Sequence, residues 1–255
     1  MIFDTHAHYD DEAFGEDRES VLNGLSAAGV GTVVNVGASM YSSEATLLLT
    51  KSFPFIYGAA GVHPSESAEL DEEKMKRLEK ILSEPKMAAV GEIGLDYHWE
   101  EPEHRVQKKW FESQMDLARK MKLPVIIHSR EAAQDTLDMM KAARAEEIGG
   151  VIHCFSYGKE MAREYLDMGF FLGIGGVLTF KNAKKLKEVV EYAPLSQLVL
   201  ETDCPYLAPV PHRGERNTSA NLMYVADAIA QLKGISPEEV VDVTERNARR
   251  LYRMD

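Results

Sequence analysis

Four histidines and two carboxylates in this chain stand where they could share metal ions. They are His6 and His8, in the opening Met-Ile-Phe-Asp-Thr-His-Ala-His, with Glu92, His128, His153 and Asp203. Neutral imidazole and ionised carboxylate are donors that suit zinc, manganese and similar ions. His6 and His8 are two residues apart, so on a β-strand both rings point to the same face. A lone His-x-His is also found as a wet surface pair or by chance. Each of the other four has an ordinary alternative too: His128 and His153 as hydrogen-bonded core histidines, Asp203 as a turn cap, Glu92 as a carboxylate paired with Arg130. Taken together the set resists that explanation, because burying several such groups in one place without counter-charge costs several kcal/mol. Six ligands exceed the three that one catalytic zinc usually takes. Two-metal hydrolases hold their ions roughly 3.5–4 Å apart, which calls for a bridging carboxylate, and Glu92 is the best-placed candidate. His6, His8 and Asp203 would complete one ion, and His128 and His153 a second, more open one. The mixed nitrogen and oxygen shell favours zinc, manganese, cobalt or iron; magnesium, which prefers oxygen, fits least well.

For these side chains to meet, the chain must bring distant segments to one place. Short apolar runs suited to strands fall at residues 2–5, 32–36, 55–60, 87–93, 124–128, 150–154, 170–174 and 198–203. Segments of helical period separate them; over residues 105–123, Trp110, Phe111, Met115, Ala118 and Met121 share one stripe. Ser236-Pro237-Glu238-Glu239, just after Gly234, has the signature of a last helix with a capping box. Such alternation implies parallel strands joined by right-handed crossovers. Eight units predict an α/β fold, a (β/α)8 TIM barrel over residues 1–255 as one domain, with a doubly wound open sheet as the alternative. In a barrel the strand ends converge on the face where active sites lie, and the six candidates sit at or near those ends.

The 255 residues, 45% hydrophobic and 27% charged, are ample for one core of this kind. A formal charge of -12 argues against a protein that coats nucleic-acid duplex through a basic surface. Cys154 and Cys204 cannot build a disulfide framework, and with no signal-peptide pattern or membrane-length apolar run the expected location is cytoplasmic. Each cysteine follows a candidate ligand by one residue, so both thiols are expected to face away from the site and to be buried.

The motifs resemble, in order and spacing, those of the TatD-type metal-dependent hydrolases. They are Phe3-Asp4-Thr5-His6-Ala7-His8, Gly61-Val62-His63-Pro64, Val90-Gly91-Glu92-Ile93-Gly94-Leu95-Asp96-Tyr97, Leu123-Pro124-Val125-Ile126-Ile127-His128-Ser129-Arg130, His153-Cys154-Phe155-Ser156 and Leu200-Glu201-Thr202-Asp203-Cys204-Pro205-Tyr206-Leu207. Arg213-Gly214-Glu215-Arg216-Asn217 and Asn247-Ala248-Arg249-Arg250-Leu251 are similar to family motifs as well. The resemblance implies a barrel of the amidohydrolase-like superfamily, two divalent ions on the six residues above, and deoxyribonuclease activity, which several members have. Ser65 departs from the pattern, since many relatives carry a histidine there.

On this basis the chain is expected to be a phosphodiesterase acting on DNA, on single strands or frayed ends, with 3'-5' exonuclease polarity. Asp203 would accept the proton of the attacking water and Glu92 would bridge the ions. His63 would touch a phosphate or leaving group, or else close its loop. Arg130 would hold a phosphate, or else orient Glu92. Tyr97 would stack on a base, or else plug the barrel mouth. Arg213 and Arg216, near His212, would attract the anionic substrate, or else pair with Glu215 or Glu201. The rival readings are hydrolysis of esters, lactones or aminoacyl groups, and a binding module without catalysis, which would have no need of a proton acceptor at Asp203.

Overall fold

The computed structural model describes residues 1–254. Eight parallel strands stand in the order of the chain: β1 (Ile2–Ala7), β2 (Val30–Val36), β3 (Ile56–Ala60), β4 (Met87–Asp96), β5 (Val125–Arg130), β6 (Gly150–Ile152), β7 (Phe171–Ile174) and β8 (Leu198–Leu200). A parallel bridge between Ala7 and Cys204 brings the last strand back to the first, which makes the sheet a barrel rather than an open one. The crossovers carry helices α1 (Arg18–Gly24), α2 (Met40–Ser52), α3 (Glu72–Leu82), α4 (His104–Met121), α5 (Ala133–Ala142), α6 (Lys159–Asp167) and α7 (Lys184–Tyr192). Two more, α8 (Leu222–Lys233) and α9 (Pro237–Tyr252), follow β8. Gly234 ends α8 in the left-handed conformation, and Ser236 then caps α9 by accepting from the backbone of Glu239 at 3.1 Å.

Strand parity places part of the site. One buried cluster takes residues from all eight strands, among them Phe3, Val34, Ala59, Ala89, Ile126, Val151, Phe171 and Val199, and closes on Ala248, Leu251 and Tyr252 of α9. This is the packed barrel interior, sealed at its lower end where the Tyr252 hydroxyl donates to the carbonyl of Thr5 at 2.7 Å. The larger cluster holds the opposite strand face against the helices. Successive side chains alternate between the two faces, so His128, two after Ile126, and His153, two after Val151, point inward one step nearer the mouth.

Several strand ends differ from the sequence reading. β4 runs three residues further, to Asp96, while β6 and β8 stop at Ile152 and Leu200. His153 and Asp203 therefore lie on turns just past their strands, and Cys154 and Asp203 both adopt positive φ, 46° and 57°.

Candidate metal centre

The two oxygens of Glu92 face two different sets of nitrogen atoms. Oε2 lies 3.5 Å from His6 Nε2 and 3.9 Å from His8 Nε2. Oε1 lies 2.8 Å from His128 Nδ1 and 3.7 Å from His153 Nε2. Asp203 Oδ1 closes the first set at 3.3 Å from His8 Nε2 and 3.8 Å from His6 Nε2, and it is also 3.7 Å from His153 Nε2. His6 Nε2 and His8 Nε2 are themselves 3.0 Å apart. Ligands about 2.1 Å from a tetrahedral ion would sit roughly 3.4 Å from each other, so these separations suit a shared cation.

The outer ring atoms support that fit. The His8 Nδ1–H donates to the carbonyl of Val36 at 2.8 Å, so once the ring is neutral its Nε2 lone pair is left for a cation. His128 Nε2 faces Asp96 Oδ2 at 3.0 Å, and His153 Nδ1 faces Glu201 Oε2 at 3.2 Å. The second pair is close but badly angled for a hydrogen bond, and both atoms otherwise lack partners, as does His6 Nδ1. Gly173 makes room for Glu201, since a β-carbon there would collide with Oε2. Asp4 ties the first and last strands together: it accepts from the backbone of His6 and Thr202 and from the hydroxyls of Thr202 and Ser219, the last two at 2.6 Å.

Electrostatics point the same way. Burial alone would push Glu92 up, but His153, His128 and His6 hold its carboxyl well below the ordinary range. Burial lowers His153 and His8, yet Glu201, Glu92 and Asp203 outweigh it at His153, whose pKa reaches about 10, and Asp203 does so at His8, which reaches about 9. Without metal, protons supply the positive charge that these carboxylates demand. The donor set therefore fits divalent cations, held by His6, His8, Glu92 and Asp203 on one side and by Glu92, His128 and His153 on the other.

Residues 3–253 match the family model for TatD related DNase. The chain belongs to this family. A Bacillus subtilis member named "uncharacterized metal-dependent hydrolase YabD" is 42% identical over the full length of both chains. A Salmonella typhimurium member named "3'-5' ssDNA/RNA exonuclease TatD" is 28% identical, with 98% of each chain covered. The crystal structure of the TatD homologue YJJV from Escherichia coli superposes with a TM-score of 0.94 at 28% identity, covering 100% of this chain and 98% of that one. The chain is thus a TatD-family metal-dependent hydrolase.

Against this family background the remaining predicted residues divide. A cavity of about 770 Å³ opens at the barrel mouth, and its walls include His8, His63, Glu92, His128, His153, Asp203 and Arg130. Arg130 is exposed and makes no ion pair among the described residues, so it does not orient Glu92; histidines surround that carboxylate instead. His63 Nε2 comes within 3.9 Å of Glu92 Oε1, close enough to extend the candidate ligand group. Its Nδ1, however, accepts from the backbone N–H of Ser65 at 3.1 Å, so the neutral ring carries its proton on Nε2, toward the cavity. Burial and His128 lower its pKa to about 4, which keeps the ring neutral near pH 7.

Three residues proposed to touch substrate lie elsewhere. Tyr97 stacks on His104, with centroids 3.6 Å apart, and donates its hydroxyl to Asp135 at 2.6 Å. Arg216 is held bidentately by Asp17 at 2.6 and 2.7 Å, not by Glu215 or Glu201. Arg213 lies over the ring of Phe180 at 4.4 Å. None of the three lines the cavity. Cys204 is buried, as expected, but Cys154 is only half-buried, and its thiol lies in the field of the site. Burial, then Asp203, Glu201 and Glu92, raise its pKa well above the usual thiol range. Cys154 does not line the cavity, and strand alternation has already stopped where it stands.

Sequence reasoning missed Asp96 and Glu201 as partners of the candidate ligands. Asp96 was within reach: it follows Glu92 by four residues, an even spacing that shares a strand face once β4 is long enough. Glu201 carried no such signal, because β8 ends before it.

Proposed function

We propose that the chain is a two-metal deoxyribonuclease that removes nucleotides from the 3' end of single-stranded or frayed DNA. The observation that carries this reading is the division of Glu92 between two nitrogen sets, Oε2 toward His6 and His8 and Oε1 toward His128 and His153. Two divalent ions there would polarise a phosphoryl oxygen and make water acidic enough to attack at neutral pH. Zinc, manganese, cobalt or iron suits the donors best.

The chain's own groups supply the rest. Asp203 has the more accessible carboxylate, with 19% of its side chain exposed against 6% for Glu92, and it accepts the proton of the attacking water. That water adds to phosphorus, and the bond from phosphorus to the 3'-oxygen of the preceding nucleotide breaks. The products are a nucleoside 5'-monophosphate and a strand ending in a 3'-hydroxyl. Arg130 offers a forked donor to the phosphate, and the Nε2–H of His63 donates to a phosphate or leaving oxygen. A rigid duplex fits the barrel mouth poorly, whereas an unpaired end can enter it. The Salmonella relative's name agrees with this polarity and substrate. The two free cysteines suit a reducing cytosol, and no helix among the described residues is long and apolar enough to cross a membrane.

The test is a substrate panel on metal-reconstituted protein: labelled single strands with free or blocked 3' ends, duplex, RNA, and simple carboxyl esters. Shortening of free-ended single strands from the 3' side is expected. Turnover of esters with every oligonucleotide intact would replace this reading with an esterase.

A further inference from the structure

Three large aromatic side chains stand exposed around the mouth of the candidate site. Tyr41 is 80% exposed, and Trp99 and Tyr206 are each 54% exposed. They come from separate connections: Tyr41 from the first turn of α2, Trp99 from the loop after β4, Tyr206 from the loop after β8. All three line the cavity that holds Glu92, His128 and Asp203. Aromatic surface left in water is unfavourable, and three such rings around one cavity indicate a ligand with faces to cover them.

Two of the rings are held in place. The Tyr206 hydroxyl donates to Asp11 Oδ2 at 2.7 Å, which anchors the edge of the ring. Trp99 meets His98 edge to face, with centroids 4.8 Å apart, and His98 is held in turn by Glu131 at 2.9 Å.

The charge of the wall limits what that ligand can be. Beyond the candidate ligands and Asp96, the cavity presents Asp10, Asp11, Glu12 and Glu66, against Arg130 as the one Lys or Arg. A polyanion cannot be held along such a rim by its phosphates. Away from the metal centre and Arg130, its attraction must come from neutral, flat groups.

We propose that Tyr41, Trp99 and Tyr206 form a stacking rim that grips the unpaired bases of a short single strand while its terminal phosphodiester reaches the metal centre. This deepens the nuclease reading and rests on it. Bases in a duplex are already stacked on one another, so only unpaired ones have faces to offer, and the rim selects single strands with little regard to sequence. Base–aromatic stacking of this kind is worth roughly five- to 150-fold in binding per base.

The experiment uses metal-loaded protein with two tetranucleotides, one carrying thymine bases and one carrying tetrahydrofuran abasic sugars on the same backbone. The wild type should prefer the base-bearing strand in kcat/KM by about tenfold or more. In Trp99→Leu and Tyr206→Leu that preference should collapse toward unity, with Trp99→Phe restoring most of it. Trp110 is buried, so quenching of tryptophan emission by a non-hydrolysable phosphorothioate tetranucleotide reports on Trp99, and the abasic strand should not quench. Circular dichroism and metal content verify that each variant is folded and loaded. A wild type that cleaves both strands equally well, or leucine variants that keep the full preference, would overturn the stacking rim while leaving the nuclease reading intact. A wild type that cleaves neither strand would remove the nuclease reading, and the rim with it.

Discussion

Asp96 Oδ2 lies 3.0 Å from Nε2 of His128, on the far edge of the ring from Glu92 Oε1, which is 2.8 Å from Nδ1. With an ion bound, the carboxylate would hold the ring proton on Nε2 and leave the Nδ1 lone pair for the metal. Removing such an outer partner usually costs 10–100-fold in metal affinity, about what is expected for Asp96→Ala at one of two ions. Competition with a chelator of known affinity measures it. Unchanged affinity for both ions would mean that His128 needs no such orientation.

Glu92 should set the stoichiometry. Protein purified without chelator should bind up to two divalent ions, one more tightly. Glu92→Ala should lose the weaker ion and most activity while retaining its fold by circular dichroism. Elemental analysis that never exceeds one ion in active wild-type protein would count decisively against a bridged pair.

Asp203 separates proton transfer from metal holding. Asparagine keeps the side-chain shape and one ligating oxygen but takes up no proton at neutral pH. With metal content verified, Asp203→Asn should lower kcat by about 10²–10⁴-fold and change KM much less. His128→Ala is the comparison, and should lose metal and activity together. An asparagine variant that cleaves within a few-fold of wild type would remove Asp203 from the role of base.

Metal uptake should release protons. In the metal-free site the pKa values of His8 and His153 are raised to about 9 and about 10, so both rings are protonated at pH 7 and must lose that proton to bind a cation. A raised pKa means that the proton competes across the whole range below it. Affinity should therefore climb as pH rises from 7 toward 9. Calorimetry in buffers of different ionisation enthalpy should find about two protons released at pH 7. Release of none would show that both rings are already neutral.

Salt should weaken substrate binding only slightly. With Arg130 as the one Lys or Arg on the cavity wall, few counterions leave when a strand binds, and the logarithmic slope should be about −0.7, that of a single phosphate contact on single-stranded DNA. A slope several times steeper would reveal a basic surface outside the cavity.

The barrel was legible in the sequence because its causes are local. Apolar runs of strand length alternate with stripes of helical period, and parity along each run decides which side chains face inward. The same parity put His128 and His153 two residues beyond Ile126 and Val151, whereas His6 and Glu92 stand three residues beyond Phe3 and Ala89, across breaks in the register of β1 and β4, and were legible by residue type and spacing rather than by parity. The capping residues Ser236 and Gly234 were legible for the same reason, since a cap acts on its own helix end.

What only the tertiary structure decided lies where the period stops or where partners are far apart in the chain. Beyond Ile152 and Leu200 the strands end, and positive φ at Cys154 and Asp203 sets side-chain directions that alternation cannot supply. Arg216 reads as a substrate contact or a partner of Glu215 or Glu201 until Asp17, 199 residues away, is brought against it. Tyr97 and Trp99 look interchangeable in sequence, yet one is turned away by Asp135 and the other is left open at the mouth. A local pattern constrains a side chain only relative to its own strand or helix. Closing eight strands into a ring fixes the distances between strands, and with them the two faces of Glu92, the orientation of His128 by Asp96, and the aromatic rim.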